Sequence, residues 1–272
     1  MQILKHKTSQ FKDNDLFPAE YNLAVEELLE IYIDGSPYAV TMRLPGDDIN
    51  LVAGFCFTEG IIGSNDELAS ISHCTTIPGK RRILVQLAPG SRYDAEVEKR
   101  REYISKSSCG LCGKSRAEEI YGEISPVEKW NTIPLASILR LKELFEVRQN
   151  IYHMTGSTHS AAIFDRQENL LASAEDIGRH NAFDKVIGSL VRGKRTEDAF
   201  MAIVSSRLSF EMIQKAGVLG LEVIAGLSAP TSMAVDLAEQ LNITLIGFLR
   251  ENSMSIYTHP ERIHHLETGC MH

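Results

Sequence analysis

Residues 199–248, AFMAIVSSRLSFEMIQKAGVLGLEVIAGLSAPTSMAVDLAEQLNITLIGF, decide the fold of the second half of the chain. Three short apolar runs alternate there with two segments in which apolar residues recur at helical spacing. The runs are 199–204, 222–225 and 243–248, and the helical segments are 210–219 and 233–241. Apolar strands that alternate with helices are typical of βαβ units, so we predict a mostly parallel sheet with helices on both faces, an α/β/α sandwich.

Polar residues follow each of these predicted strands. Ser205-Ser206-Arg207, the segment Ser228 to Ser232, and Arg250 come directly after the apolar runs. In open α/β sheets, ligands bind beyond the carboxyl ends of the strands, where helix N-termini favour anions. The sequence therefore favours a phosphate-bearing ligand at this edge, although Ser228 and Thr231 could also be simple helix N-caps.

The preceding residues extend the same pattern. We predict a helix over 134–148, strands over 161–164 and 170–173, and a helix over 181–191. The stretch Glu175 to Asn181 lies just before the last helix and is rich in titratable groups. It is either a ligand-facing loop or a cluster of caps and ion pairs that positions the helix.

The first 90 residues predict a small α+β unit. The segment 27–44 indicates a hairpin, because Asp34-Gly35 tolerates the positive φ of a tight turn. An aspartate at 47 or 48 is expected to cap a helix over 49–59, and 70–76 and 82–87 form a second strand pair. We place the domains at 1–125 and 126–272.

Composition limits the class of protein. The chain has 272 residues with 28 basic and 36 acidic ones, giving a formal charge of −8. This acidity argues against a generic nucleic-acid binder. We find neither a signal peptide nor an apolar run long enough to span a membrane, and the cysteines are few and odd in number. We therefore expect a cytoplasmic protein with reduced thiols.

The pair Cys109-Gly110-Leu111-Cys112 lies in a Ser/Gly-rich stretch, 107–115, which we expect to be a mobile loop. Structural zinc needs four ligands, and no second ligand pair has suitable spacing. A zinc deaminase would have proline before the first cysteine, where this chain has Ser108. We therefore expect no metal site.

Two thiol chemistries remain for this pair. Thiol–disulfide exchange is one, but a thioredoxin-like pair would lie between a strand and a helix. A persulfide carrier is favoured, because glycines loosen the backbone, while Lys106 and Lys114 stabilise a thiolate. Of the other cysteines, we expect Cys56 and Cys74 to be core residues and Cys270 to be incidental.

Several segments together resemble the formate dehydrogenase accessory sulfurtransferase family (FdhD). They occur in the family's order between about residues 18 and 263. These segments are 107–114, 156–162, 175–185, 206–212, 228–232, 247–250 and 257–263.

The resemblance implies a sulfur carrier. Members take sulfur from a cysteine desulfurase and pass it to the molybdenum bis-guanine-dinucleotide cofactor, which formate dehydrogenase needs. It also implies a homodimer and a C-terminal domain of cytidine-deaminase-like architecture without its zinc site. By resemblance, Cys109 carries the persulfide and Cys112 assists it or shares the sulfur.

The resemblance and the strand-end pattern together give the cofactor-binding residues. The family's cofactor segment corresponds to Phe248, Leu249, Arg250, Glu251, Asn252 and Ser253. The other candidates are Arg207, Ser228, Thr231, His159, Arg179 and His180. Glu251 replaces a frequent glycine and would repel a phosphate.

Two other functions fit the same residues. A non-catalytic chaperone would bind and deliver the cofactor, and would need Arg207 and Arg250 but neither cysteine. A dithiol oxidoreductase would need Cys112 as much as Cys109.

Overall fold

The structure is a computed structural model, and it describes residues 1–74, 81–93 and 124–264. The predictions for Cys109, Cys112, the loop 107–115 and Cys270 lie outside the described residues.

The N-terminal part consists mainly of strands. Its elements are β1 (Ile3–Lys12), β2 (Asp15–Ala24), β3 (Glu27–Ile33), β4 (Ser36–Arg43), α1 (Asp48–Thr58), β5 (Leu68–His73) and β6 (Arg82–Leu87). The strands β3 to β6 form one sheet in the order β4-β3-β6-β5. Both predicted strand pairs are confirmed, and Asp34 and Gly35 have φ values of 46° and 79° in the first turn.

Two features of this part differ from the predictions. An additional antiparallel ribbon, β1–β2, precedes the hairpin, and nearly all of its residues are exposed. The predicted aspartate cap of α1 is wrong. Asp47 occupies the N-cap position at φ 60° without a capping side-chain bond, and its carboxylate accepts from Asn50 Nδ2 instead. The Asp48 carboxylate is bound by Arg43 at 2.8 Å.

The C-terminal part alternates between strands and helices, as predicted. Its elements are β7 (Ile133–Pro134), α2 (Leu135–Glu146), α3 (Asn150–Thr155), β8 (His159–Phe164), β9 (Leu170–Asp176), α4 (Arg179–Arg192), β10 (Met201–Val204), α5 (Phe210–Leu219), β11 (Val223–Gly226), α6 (Ser232–Gln240), β12 (Thr244–Gly247), β13 (Ser255–Ile256) and β14 (Ile263–His264). The short helix α3 was not predicted.

The central sheet has the order β13-β12-β11-β10-β8-β9. The strands β10, β11 and β12 are parallel, but β8 is antiparallel to β10, β9 to β8 and β13 to β12. The predicted mostly parallel sheet is therefore wrong, and the sheet is mixed. Hairpin returns at 165–169 and after β12 reverse the outer strands, whereas only the βαβ crossovers keep strands parallel.

Helices cover both faces of this sheet. The residues of β10 alternate between the two cores: Ala202 and Val204 pack with α4 and α5, while Met201 and Ile203 pack with α2. The α/β/α arrangement is therefore confirmed, and the cytidine-deaminase-like architecture stays a prediction. No helix in the described part of the chain is long and apolar enough to cross a membrane.

The N-terminal unit and the C-terminal sheet share one hydrophobic core through the contact between α1 and α4. Glycines make this contact close. A Cβ atom on Gly54 would lie 1.9 Å from the Asp184 carbonyl oxygen, and one on Gly188 would lie 1.9 Å from that of Asn50. The boundary at 125/126 stays a prediction.

Candidate functional site

The candidate ligand-binding segments converge at one edge of the central sheet. The parallel strands β10, β11 and β12 end there, and the register of β8 and β9 brings His159 opposite Asp176 at the same edge. Neighbouring strands lie 4.7–4.9 Å apart, so the edge from β12 to β9 is roughly 19 Å long. We call this the edge site; it comprises His159, Arg179, His180, Arg207, Ser228, Thr231 and 248–253.

One end of the edge site is positively charged. The pKa of the half-buried His159 is lowered by burial and by the charges of Arg179, His180 and Arg207, against an opposing effect of Asp176. These four predicted residues therefore lie within electrostatic range of one another, although they come from three segments of the chain. A neutral imidazole among cations and helix starts suits a ligand that carries negative charge.

A serine after β10 holds the start of β8 at this edge. Ser205 Oγ accepts from the backbone N–H of Ser160 at 2.9 Å and lies 3.5 Å from His159 Nδ1. The Ser205 backbone N–H also donates to the Ser160 carbonyl oxygen. These contacts fix the position of His159 relative to the strand end.

The segment Glu175 to Asn181 contains the ion pair and the structural hydrogen bonds of one of its two alternatives, and its role as a ligand-facing loop stays a prediction. Asp176 is fully buried, lies 2.7 Å from Lys185 Nζ, and accepts from the backbone N–H groups of Leu44 and Gly178. The Asn181 side chain donates to Asp176 and to the Met42 carbonyl oxygen. These residues are structural and tie the two parts of the chain together.

Glu175 is structural too, because its carboxylate accepts from the backbone N–H groups of Ile151 and Tyr152 at the start of α3. By contrast, Arg179 and His180 begin α4 at the edge and are only partly buried. The segment therefore anchors the helix through its flanks and presents its centre to the edge site.

The opposite end of the edge site is the loop after β12. Its backbone is fixed: Phe248 has φ 50°, its N–H donates to the Ser228 carbonyl oxygen, and Arg250 N–H donates to Ser253. The Arg250 guanidinium donates to the Leu227 and Leu249 carbonyl oxygens. The Leu249 side chain is fully buried in the core, so only its backbone can face a ligand.

The remaining residues of this loop are exposed. An open pocket of about 370 Å³ adjoins the loop. It is lined by Lys142, Glu146, Leu227, Leu249, Arg250, Glu251 and Asn252. Two acidic and two basic side chains balance there, so this end lacks the excess of positive charge found near His159.

Thr231 occupies the N-cap position of α6, and Ser209 that of α5, but neither hydroxyl makes a capping hydrogen bond. Thr231 therefore has the position of a helix N-cap, but its hydroxyl does not bond the helix backbone as a capping side chain would. Ser228 contributes its carbonyl oxygen to the loop after β12.

Several buried polar atoms at the edge lack hydrogen-bond partners among the described residues. They are Arg179 Nε, His180 Nε2, Ser209 Oγ and Glu211 Oε1. Buried polar atoms are nearly always paired with protein or with water. His180 Nε2 and the Glu211 carboxylate lie in one close contact, which leaves Arg179 Nε and Ser209 Oγ as the donors of this group that water or a ligand could pair.

Glu211 was not predicted as a site residue. It is 9 % exposed, and its Oε2 atom lies 2.7 Å from His180 Nε2. Its place within the matched segment 206–212 was a signal, but an acidic residue in the first turn of a helix normally serves the helix dipole. Only the folded chain reveals its contact with His180.

The two cysteines of the described part differ in burial. Cys56 is fully buried, and burial raises the pKa of its thiol to about 12, so it is not a reactive candidate. This confirms its prediction as a core residue. The same prediction is wrong for Cys74, which follows β5 and is only partly buried. Over residues 1–74, 81–93 and 124–264, no group of three or more His, Cys, Asp or Glu is placed to hold a metal ion.

Comparison with known proteins identifies the family. The family model described as "FdhD/NarQ family" matches residues 24–264. The chain belongs to the FdhD/NarQ family. This membership confirms the resemblance drawn from the sequence segments.

Curated relatives of this FdhD/NarQ family chain are similar over most of their length. The sulfur carrier protein FdhD of Mycolicibacterium paratuberculosis is 41 % identical over 249 residues, which cover 89 % of this chain and 91 % of the relative. That of Sulfolobus acidocaldarius is 38 % identical over 266 residues, covering 97 % and 99 %.

A solved structure has the same fold. It belongs to a protein of Desulfotalea psychrophila described as a formate dehydrogenase accessory protein, with a TM-score of 0.78 and 23 % identity. The match covers 97 % of this chain and 100 % of the other. At this identity, the likeness supports the fold alone.

Proposed function

We propose that this protein is a sulfur carrier that serves formate dehydrogenase. In this proposal it takes sulfur from a cysteine desulfurase as a persulfide and transfers it to the molybdenum bis-guanine-dinucleotide cofactor, which is its substrate. The observation that carries the proposal is the high identity, over nearly the whole chain, to proteins named as sulfur carriers. The Cys-x-x-Cys pair supplies the chemistry that such a role requires.

The edge site supports the choice of substrate. A guanine dinucleotide carries diphosphate groups, and Arg179 and Arg207, which both act on His159, give one end of the edge the opposite charge. The edge is long enough, at roughly 19 Å, for an extended nucleotide. The unpaired Arg179 Nε and Ser209 Oγ are donors that phosphate oxygens could satisfy.

The transfer follows from thiol chemistry. The Cys109 thiolate attacks the terminal sulfur of the desulfurase persulfide, the S–S bond there breaks, and the desulfurase cysteine leaves as a thiolate. The Cys112 thiolate then attacks Cys109 Sγ, forms a disulfide, and expels the terminal sulfur, now reduced to the sulfide level, toward the substrate. An external thiol reduces the disulfide and restores both cysteines.

A non-catalytic cofactor chaperone is the second candidate, and the positive end of the edge site favours it as much as it favours the sulfur carrier. The two differ in the cysteines. Formate dehydrogenase activity in cells that carry Cys109→Ala separates them, with Cys74→Ala as the matched control. The sulfur carrier predicts that Cys109→Ala abolishes activity while Cys74→Ala retains it, whereas full activity of both variants would favour the chaperone.

A substitution at Cys112 tests the alternative that the protein is a dithiol oxidoreductase. A Cys112→Ser variant that still accumulates sulfane sulfur on Cys109 would count against an oxidoreductase. We further propose that the protein is a homodimer, as its resemblance to the family implies. We also propose that it is cytoplasmic, since the persulfide needs a reducing compartment. Light scattering of the purified protein tests the dimer, and a monomer at micromolar concentration would contradict it.

A further inference from the structure

Glu211 and His180 bring the starts of two helices together at the edge site. Glu211 is the second residue of α5, and His180 is the second residue of α4. Glu211 Oε2 lies 2.7 Å from His180 Nε2, and the carboxylate is largely buried while the ring is partly open to solvent. The contact is close but is not aligned as a hydrogen bond. Active-site contacts often have this geometry before substrate binds.

A buried ion pair lies within electrostatic range of Glu211. Lys215 lies one turn later on α5, and its Nζ atom donates to Asp184 at 2.9 Å and to Thr58 Oγ1 at 2.7 Å. Burial opposes the charge on Lys215, but Asp184, Glu59 and Glu211 outweigh it and raise its pKa. The Glu211 carboxylate therefore contacts the His180 ring and lies within electrostatic range of the buried Lys215.

Charged groups from the segments that meet at this end of the edge act on His159 of β8, as His180 itself does. They are Arg179 on the same helix as His180, Arg207 after β10, and Asp176 at the end of β9. Of these groups and Glu211, only Glu211 lies in ion-pair contact with a ring nitrogen of His180. Its carboxylate is therefore the group placed to set the state of that nitrogen.

We propose that Glu211 is a positioning residue, which orients the His180 ring and keeps a proton on Nε2, so that Nδ1 faces the substrate as an acceptor for an N–H group such as those of the guanine base. A neutral imidazole has one donor and one acceptor nitrogen, and the contact made by one nitrogen fixes the role of the other. The inference rests on the proposed function, because that function makes His180 a substrate contact. Glu211 itself acts only through the ring.

A double-mutant cycle tests this inference with GDP as the probe, because GDP carries the guanine base and diphosphate of the proposed substrate. Calorimetry gives the Kd for wild type, Glu211→Gln, His180→Asn and the double variant. We expect Glu211→Gln to weaken binding about fivefold and His180→Asn about tenfold. The double variant should bind no more weakly than His180→Asn, because Glu211 acts through His180.

The ring nitrogen spectrum of His180 supplies a readout that a merely structural role would not change. In ¹⁵N-labelled protein without GDP, we expect the neutral ring to carry its proton on Nε2 in wild type and to lose this preference in Glu211→Met. Glu239→Gln is the matched control, because Glu239 approaches His259 Nε2 at 3.8 Å on the exposed surface. It should leave both the GDP affinity and the His180 signal unchanged.

The outcomes are separable. Losses of affinity that add in the double variant, or an unchanged His180 signal in Glu211→Met, would overturn the inference. If wild type fails to bind GDP, the proposed substrate is wrong, and the spectrum of the free protein still decides whether Glu211 positions the ring.

Discussion

Two neighbouring regions of the molecule differ in how their buried polar groups are paired. One is the contact between α1 and α4, and the other is the edge site. In the helix contact, Asp184 is bound by Lys215 and Thr58 at hydrogen-bond distance, and all three side chains are buried. At the edge site, Arg179 Nε and Ser209 Oγ are buried without partners among the described residues. Both regions are built from the same helices, since α4 and α5 contribute to each.

This difference separates stability from binding. An unpaired polar atom costs free energy when it is buried, and a bound ligand or water can recover that cost. In the helix contact the buried charged groups are paired with one another, so substitutions there should lower the stability of the fold. The edge site leaves donors unsatisfied, and substitutions there should weaken binding while the fold survives.

The largest loss of stability is expected at Asp184. In Asp184→Ala, Lys215 stays buried without its main partner, so the free energy of unfolding should fall by about 3–5 kcal/mol. Denaturant unfolding measures this. Asp236→Ala, an exposed aspartate on α6, is the control and should change the value by less than about 0.5 kcal/mol. Similar small losses for both would mean that the pair does not stabilise the contact.

A smaller loss is expected at Gly188. An alanine Cβ there meets the Asn50 carbonyl oxygen at 1.9 Å, so α1 and α4 must separate. Gly188→Ala should lower the free energy of unfolding by about 2–3 kcal/mol despite the better helix propensity of alanine. Ser189→Ala on the same helix serves as the control. A neutral or stabilising Gly188→Ala would show that the helices do not need this close approach.

A pH-dependent loss is expected at His159 in the edge site. Burial and the charges of Arg179, His180 and Arg207 lower its pKa in the folded chain. As pH falls below about 6.5, the unfolded chain takes up a proton that the folded chain resists, so the free energy of unfolding falls. His159→Asn should flatten this fall. If the wild-type and variant curves remain parallel between pH 7 and 5 (roughly the imidazole range), the electrostatic account of the cluster fails.

The smallest change of stability is expected at Arg207, which is exposed at the edge site. Arg207→Gln should shift the free energy of unfolding by less than about 0.5 kcal/mol. The same variant should weaken GDP binding about tenfold, because a charge-assisted contact to phosphate is lost. Arg195→Gln, just after the far end of α4 in an exposed ion pair with Asp198, is the control for both measurements. A clearly destabilised Arg207→Gln protein that binds GDP as tightly as wild type would contradict this assignment of Arg207 to binding.

The elements of residues 199–248 could be predicted to within about two residues, since each strand is apolar and each helix has a clear period. Strand direction could not, because β8 and β9 give the same apolar pattern whether they run parallel or antiparallel. The ribbon β1–β2 was missed, because a ribbon exposed on nearly all sides needs no alternation of polar and apolar residues.

The convergence of the site could be predicted from one rule, that the ends of parallel strands share an edge. The distinct roles within residues 175–181 could not. Asp176 and Arg179 are both charged residues of the same short segment, yet one is buried against Lys185 and the other is partly exposed. That difference depends on Leu44, which lies 132 positions from Asp176 in the sequence, and on Lys185, which lies further along α4.

The central claim is that Cys109 carries sulfur, and peptide mass spectrometry tests it most directly. The protein is incubated with a cysteine desulfurase and cysteine, digested without reductant, and mapped. The account predicts an adduct of about 32 Da, one sulfur atom, on the peptide that contains Cys109 and Cys112, removable by a thiol and absent in Cys109→Ala. An unmodified peptide under conditions in which the desulfurase itself carries the adduct would contradict the account.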